Sequence, residues 1–272
     1  MNDSAASSAG AGGWGARAAS LVAAGVLLGC AATAQAQGAA AYRLTPVADT
    51  TIFGAQDGGT AYDGISDGSG PNLWTSVTAG GFTRRALLRF DLSALPADAL
   101  IVSVQLQMFE VRARDEHVLG LHRVLGAWGE GGSNGGDAGA GAAAQAGDAT
   151  WSHRVWPDVP WSQRGGDFMA DPSATLSVGL APATFTWGST PQLVADVQGW
   201  LAQPASNHGW ILIGNDAGLQ NAKRFVSRNI AGTEGLPSLV VGVAGVVPEP
   251  GTYLLMLAGI ASVMLALSRR RG

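Results

Sequence analysis

Four aspartates, Asp49, Asp57, Asp63 and Asp67, crowd one glycine-rich stretch of the chain. Carboxylate oxygens on loops suit calcium, although the spacing is not that of an EF-hand and Asp-Gly pairs also form ordinary turns. Asp49 and Asp91 are, from position alone, our candidate ligands for a structural calcium; no other cofactor is expected. The four histidines, His117, His122, His153 and His208, lack the spacing of a zinc site. Gly131-Gly132-Ser133-Asn134-Gly135 spells a nucleophile elbow, but that motif needs a strand, a sharp turn and a helix, and this copy lies in Gly/Ala-rich sequence. Gly10 to Gly15 likewise spells a dinucleotide fingerprint with no strand before it. With no paired acid and base and no nucleophile constellation, the chain reads as non-catalytic.

Side chains suited to binding are more plentiful. The chain has nine tryptophans, and Trp151, Trp156 and Trp161 recur every five residues. An odd spacing alternates faces of a strand, and Pro157 and Pro160 break its regularity. Trp74 and Trp156 are the candidates for exposed faces that stack on sugar rings. Arg84 and Arg85 could grip polysaccharide carboxylates through their planar forks. The simpler account of Arg84, Arg85 and Arg89 is an outward row that pairs with Asp91 or blocks edge pairing. A formal net charge of -4 with no basic stripe excludes nucleic acid as the expected partner.

Period-two patterning predicts the elements that carry these groups. In Ile101 to Val111, Val102, Val104, Leu106 and Met108 share one face, with Ser103, Gln105 and Gln107 on the other. Further strands are predicted at 49–53, 73–78, 86–90, 118–124, 176–180, 184–187, 210–214, 224–227 and 239–243. One segment breaks the pattern: Leu193, Val194, Val197, Trp200 and Leu201 share a helical face behind the N-cap Thr190 and Pro191. The expected fold is all-β, an antiparallel sandwich with one short amphipathic helix, to which the second resemblance below adds a jelly-roll-like order. Gly129 to Gly147, poor in apolar side chains, is expected to be an exposed, flexible loop.

Both ends read as targeting segments. Arg17, an apolar stretch to Ala34, and Ala34-Gln35-Ala36 form a signal peptide over 1–36, with cleavage before Gln37. Removal of Cys30 with that peptide leaves a mature domain, 37–245, without disulfides. At the other end Val247-Pro248-Glu249-Pro250 precedes sixteen uncharged residues, Thr252 to Leu267, and then Arg269-Arg270-Arg271. As a helix that run is about 24 Å long, enough for a thin bilayer, and the arginines are a cytoplasmic stop. The segment 246–272 resembles the PEP-CTERM sorting signal of Gram-negative bacteria. That resemblance makes Pro248, Glu249 and Pro250 the recognition residues of an exosortase and 252–267 a transient transmembrane helix. The protein would then reach the cell surface or the medium.

A second resemblance covers 49–243. It rests on Arg84 to Leu92 with Leu95-Pro96, on His122 to Gly131, on Ala149-Thr150-Trp151 through Trp161 to Phe168, on Val194 to Leu201, on Asn207 to Trp210 and on Lys223 to Arg228. These segments are similar to the DNRLRE domain, whose relatives include jelly-roll modules that bind acidic polysaccharide such as alginate. The family pattern has Glu where this chain has Asn229. The resemblance makes Trp151, Trp161, Trp200 and Trp210 core residues. The expected function is an exported surface or matrix protein whose sandwich binds extracellular polysaccharide. A purely structural or adhesive sandwich is the first alternative, and a cryptic polysaccharide hydrolase or lyase the second.

Overall fold

A computed structural model describes residues 40–180, 182–245 and 250–270. Its elements are β1 (Ala40–Leu44), β2 (Pro46–Ala55), β3 (Ile65–Ser66), β4 (Asn72–Val77), β5 (Phe82–Phe90), β6 (Ile101–Arg112), β7 (His117–Arg123) and β8 (Ala142–Ala143). There follow β9 (His153–Val155), β10 (Val159–Pro160), β11 (Ala174–Val178), β12 (Ala183–Trp187), α1 (Pro191–Ala202), β13 (Trp210–Ile213), β14 (Lys223–Val226), β15 (Ser238–Val243) and α2 (Pro250–Arg269). The pairings between strands are antiparallel.

The main path of strands runs β1-β15-β6-β14-β4-β5-β13-β7-β11. β4 is its hinge, pairing with β14 through Asn72 to Thr75 and with β5 through Ser76 and Val77. Ser76 takes the left-handed conformation there, with φ of 66°. That conformation is costly for a residue with a Cβ, and it turns the strand from one group to the other. Leu73, Leu106, Met108 and Leu239 from one side meet Leu88, Leu121 and Trp210 from the other in a single buried cluster. A second cluster, with Ile52, Leu87, Trp128, Trp151, Trp161 and Ile211, covers the outer face of β2, β5 and β13. Leu87 is therefore as buried as Ala86 and Leu88.

Thr190 caps α1 by accepting the Leu193 amide at 3.1 Å, and Leu193, Val197 and Trp200 are buried as the helical spacing predicts. Trp151, Trp161, Trp200 and Trp210 are all buried. In β6, Val104, Leu106 and Met108 point inward, but Val102 is 48 % exposed and Ile101 only 3 %. Gly242 pairs with Ser103 and Val243 with Ile101, so a β-bulge at Val102 inverts the alternation.

The expected loop at 129–147 is exposed in part, and the remainder packs against the domain. Ser133 is fully buried, Asp67 Oδ1 accepts the Gly135 amide at 2.7 Å, and β8 pairs with β3. The segment packs through its backbone beneath aromatic rings supplied by other strands. A Cβ on Gly139, at φ +66°, would lie 2.4 Å from the Trp74 ring; one on Gly141 would meet Phe53 at 2.8 Å. Lack of side chains is what permits that approach.

The predicted run 252–267 lies inside α2, whose side chains are described from Met256 onward and are exposed. Among the described residues no helix is long and apolar enough to cross a membrane. The signal-peptide residues Ala34, Ala36 and Gln37, together with Pro248, Glu249 and Arg271, lie outside the described residues.

Candidate functional site

Two of the four residues singled out for binding come together, and strand register explains how. Arg112 near the end of β6 lies opposite Arg224 of β14, which lies opposite Trp74 of β4. On β5, Arg84 is opposite both Ser76 of β4 and Phe53 of β2. The Arg84 guanidinium carbon sits 4.8 Å from the Trp74 ring centre and 5.8 Å from that of Phe53; Arg224 approaches Trp74 from 5.7 Å. Trp74, expected to be exposed, is 8 % exposed, because Gly139 and the two guanidiniums close over it.

The result is a cleft with two lobes. One, of about 180 Å³, is lined by Trp74, Arg84, Arg112, Arg114 and Gln220. The other, of about 350 Å³, is lined by Phe53, Tyr62, Phe82, Arg84 and Gly139. Thr78, Ala79, Arg84 and Ala138 line both, so the lobes are continuous.

The arginine lobe has a surplus of donors. Arg84 Nε, Arg224 Nε and Trp74 Nε1 are buried without hydrogen-bond partners. Among the described residues none of Arg84, Arg112, Arg114 and Arg224 forms an ion pair. Burial lowers the Arg84 pKa to about 10, against the pull of Asp67. Burial likewise lifts Asp67 to about 6, while the Gly135 amide and Arg84 pull it down. Like charges placed directly opposite across strands repel, as Arg112 and Arg224 do here. An array of fixed donors that is short of acceptors is complementary to carboxylate, sulfate or phosphate.

Arg85 and Trp156 lie elsewhere. Arg85 gives both Nε (3.0 Å) and a terminal nitrogen (2.7 Å) to one oxygen of Asp216, another nitrogen to the Gly165 carbonyl, and lies 4.7 Å from Trp151 and 5.3 Å from Phe168. Its donors are committed within the fold, so the expectation that it binds ligand or pairs with Asp91 is corrected. Trp156 is half-buried, with its ring centre 4.8 Å from that of His153 in an edge-on contact.

The expected calcium ligands are also separated. Asp49 is buried, accepting Ser227 Oγ and the Arg228 amide at 2.8 Å each, and burial raises its pKa to about 6. Arg228 pairs with Glu130, which also takes the Asp49 amide at 2.9 Å. Asp91 is exposed and holds Ser93, whose hydroxyl and amide lower its pKa. Among the described residues no group of three or more His, Cys, Asp or Glu is placed to hold a metal ion. Asn229 Nδ2 donates to the Gly68 carbonyl at 3.1 Å.

One constellation escaped the sequence because its members come from two strands and the turn between β6 and β7. Ser76 Oγ lies 2.9 Å from His117 Nε2, and His117 Nδ1 lies 3.2 Å from Asp115 Oδ1. The order resembles a nucleophile, base and orienting acid, and burial together with the Lys223 charge lowers the His117 pKa. Ser76 is fully buried, however, and a Cβ on Gly214 would stand 1.9 Å from its Oγ. No space is left there for a reacting carbonyl, and the trio acts as a clasp at the β4 hinge.

No curated protein matches the chain. Residues 246–271 match the PEP-CTERM protein-sorting motif. The chain thus carries the tail of exported proteins that an exosortase processes and that end at the cell surface or beyond it.

Proposed function

We propose that this is a non-catalytic surface or matrix protein whose antiparallel domain binds acidic extracellular polysaccharide in the cleft between Trp74, Arg84 and Tyr62. The observation that carries this reading is the convergence on one cleft of Arg84, Arg112 and Arg114, none of them ion-paired among the described residues, where Arg84 Nε and Trp74 Nε1 are buried without acceptors. Buried polar groups are normally partnered, so such a set fits a ligand that supplies the oxygens. Aromatic faces beside it suit sugar rings. We read the fold as a jelly-roll sandwich of DNRLRE type, in line with the resemblance in 84–92 and 194–201. Before processing, the sixteen uncharged residues 252–267, about 24 Å as a helix, cross a thin stretch of the inner membrane with Arg269 to Arg271 on the cytoplasmic side.

Titrating the processed protein with acidic and neutral polysaccharides tests the binding. Saturable binding to acidic polymers that weakens as salt rises is expected; no binding to any glycan would leave a structural sandwich. For the tail, deleting the exosortase should leave a membrane-retained species that keeps Arg269 to Arg271. Equal mass and location in both strains would reduce the tail to a simple anchor.

A further inference from the structure

We infer that the cleft selects a polysaccharide in which an acidic sugar is followed by an uncharged one, over a polymer that is acidic at every sugar; this rests on the reading of the cleft as a glycan site. The two lobes make opposite demands. Arg112, in the lining of the arginine lobe, faces Arg224 across the strands, and among the described residues no carboxylate forms an ion pair with either. An anionic group there relieves the repulsion and takes charge-assisted hydrogen bonds from the guanidiniums that line the lobe; a neutral sugar offers hydroxyl acceptors but no charge to offset theirs.

The aromatic lobe is built for the reverse. Tyr62 and Phe82 are half-buried, with ring centres 4.3 Å apart at 63°, and Phe53 forms the floor. The only charged side chain in its lining is Arg84, which it shares with the first lobe and which lies at their junction. Asp67 sits behind Arg84, its Oδ1 engaged by the Gly135 amide. A carboxylate on the second sugar would lose water against three aromatic rings and gain no cation of its own, which is unfavourable. An uncharged ring loses little and gains stacking. The charge pattern of the cleft is thus acid, then neutral, with Arg84 at the boundary.

The test compares three glycans on the processed protein by isothermal titration: hyaluronan, acidic at every second sugar; polygalacturonate, acidic at every sugar; and fully N-acetylated chito-oligosaccharide, neutral throughout. Hyaluronan should bind at least tenfold more tightly than polygalacturonate, and chito-oligosaccharide hardly at all. Arg114→Ala, at an exposed position, should weaken hyaluronan several-fold and flatten its salt dependence. Ala140→Lys, on the exposed rim of the aromatic lobe, should raise polygalacturonate affinity towards that of hyaluronan. Polygalacturonate binding as tightly as hyaluronan, or no gain from Ala140→Lys, would overturn the selectivity while leaving the cleft a glycan site. If none of the polymers binds, or Arg114→Ala leaves hyaluronan binding unchanged, the cleft itself is wrongly assigned and the selectivity falls with it.

Discussion

Replacing Lys223 with methionine keeps an apolar stem and removes a charge from the interior. Lys223 and Glu110 are both fully buried, with Nζ 3.7 Å from Oε1, and neither Glu110 oxygen accepts a hydrogen bond. Glu110 leans on this one ion, and burial still lifts its pKa from 4.5 to about 7. Because the folded state holds this proton more tightly than the unfolded chain, stability falls as pH rises from 4.5 to 7 and then levels off. Without Lys223 the pKa climbs further, and the folded protein avoids the cost of a bare charge by staying protonated. That escape sets the magnitude. Each pH unit above 7 adds about 1.4 kcal/mol to the loss, until the new pKa is passed. The Glu110 contribution is therefore near zero at pH 5, about 1.4 kcal/mol at pH 8 and roughly twice that at pH 9. A further pH-independent loss of about 1–3 kcal/mol follows from the vacated Asp115 carbonyl, which Lys223 Nζ reaches at 2.6 Å. Urea unfolding from pH 5 to 9 measures both parts, and Glu110→Gln combined with Lys223→Met should abolish the pH-dependent one. An equal loss at pH 5 and pH 9 would refute the argument, since Glu110 would then not feel the lysine.

Asp49 and Asp67, both raised to about 6, act with the same sign: their share of the stability declines as pH rises from about 4 to 6, that of Glu110 continues to pH 7, and urea midpoints at pH 4.5, 6 and 7.5 should fall in that order, with the larger drop before pH 6. Arg112→Gln should stabilise the unliganded protein by about 0.2–1 kcal/mol through relief of repulsion from Arg224, while weakening acidic-glycan binding. A destabilised variant would show that the two arginines do not confront each other. Gly139→Val places a branched side chain on the Trp74 ring in a left-handed conformation, and should cost at least about 2 kcal/mol and alter the near-ultraviolet dichroism.

How much of this was legible follows from the range of each signal. Local period identified β6, α1 and its cap because alternation and the Thr190-Pro191 pair depend only on neighbours in sequence. The flip at Val102 depends on where Gly242 pairs, more than a hundred residues away, and no local pattern carries it. Trp74 and Arg84 could be named as candidate binders from their types, but Arg112 and Arg224 are isolated letters until register aligns them, as is Arg114 until the turn after β6 brings it to the cleft. Lys223 was equally silent, since lysine normally keeps its charge in water. The packing of part of the glycine-rich segment was hidden because composition measures the side chains a loop brings, and here the rings of Trp74 and Phe53 come from elsewhere.

The sorting tail and the cleft are linked by the geometry of a single strand. Val243, the last residue of β15, pairs with both Ala40 and Ile101, and the Ala244 amide donates to the Leu100 carbonyl at 2.9 Å. The start of β1 and the exit towards the tail are therefore side by side at the Ile101 end of β6. Arg112, the arginine of β6 that lines the cleft, lies eleven residues on, about 36 Å away at the rise of an extended strand. A chain held at the Ile101 end keeps the cleft directed away from its tether, whether the tail is intact or removed. Binding by the anchored and processed forms should then have the same affinity per molecule. A large gain in intrinsic affinity on processing would mean that the tail reaches the cleft, against the strand geometry that separates them.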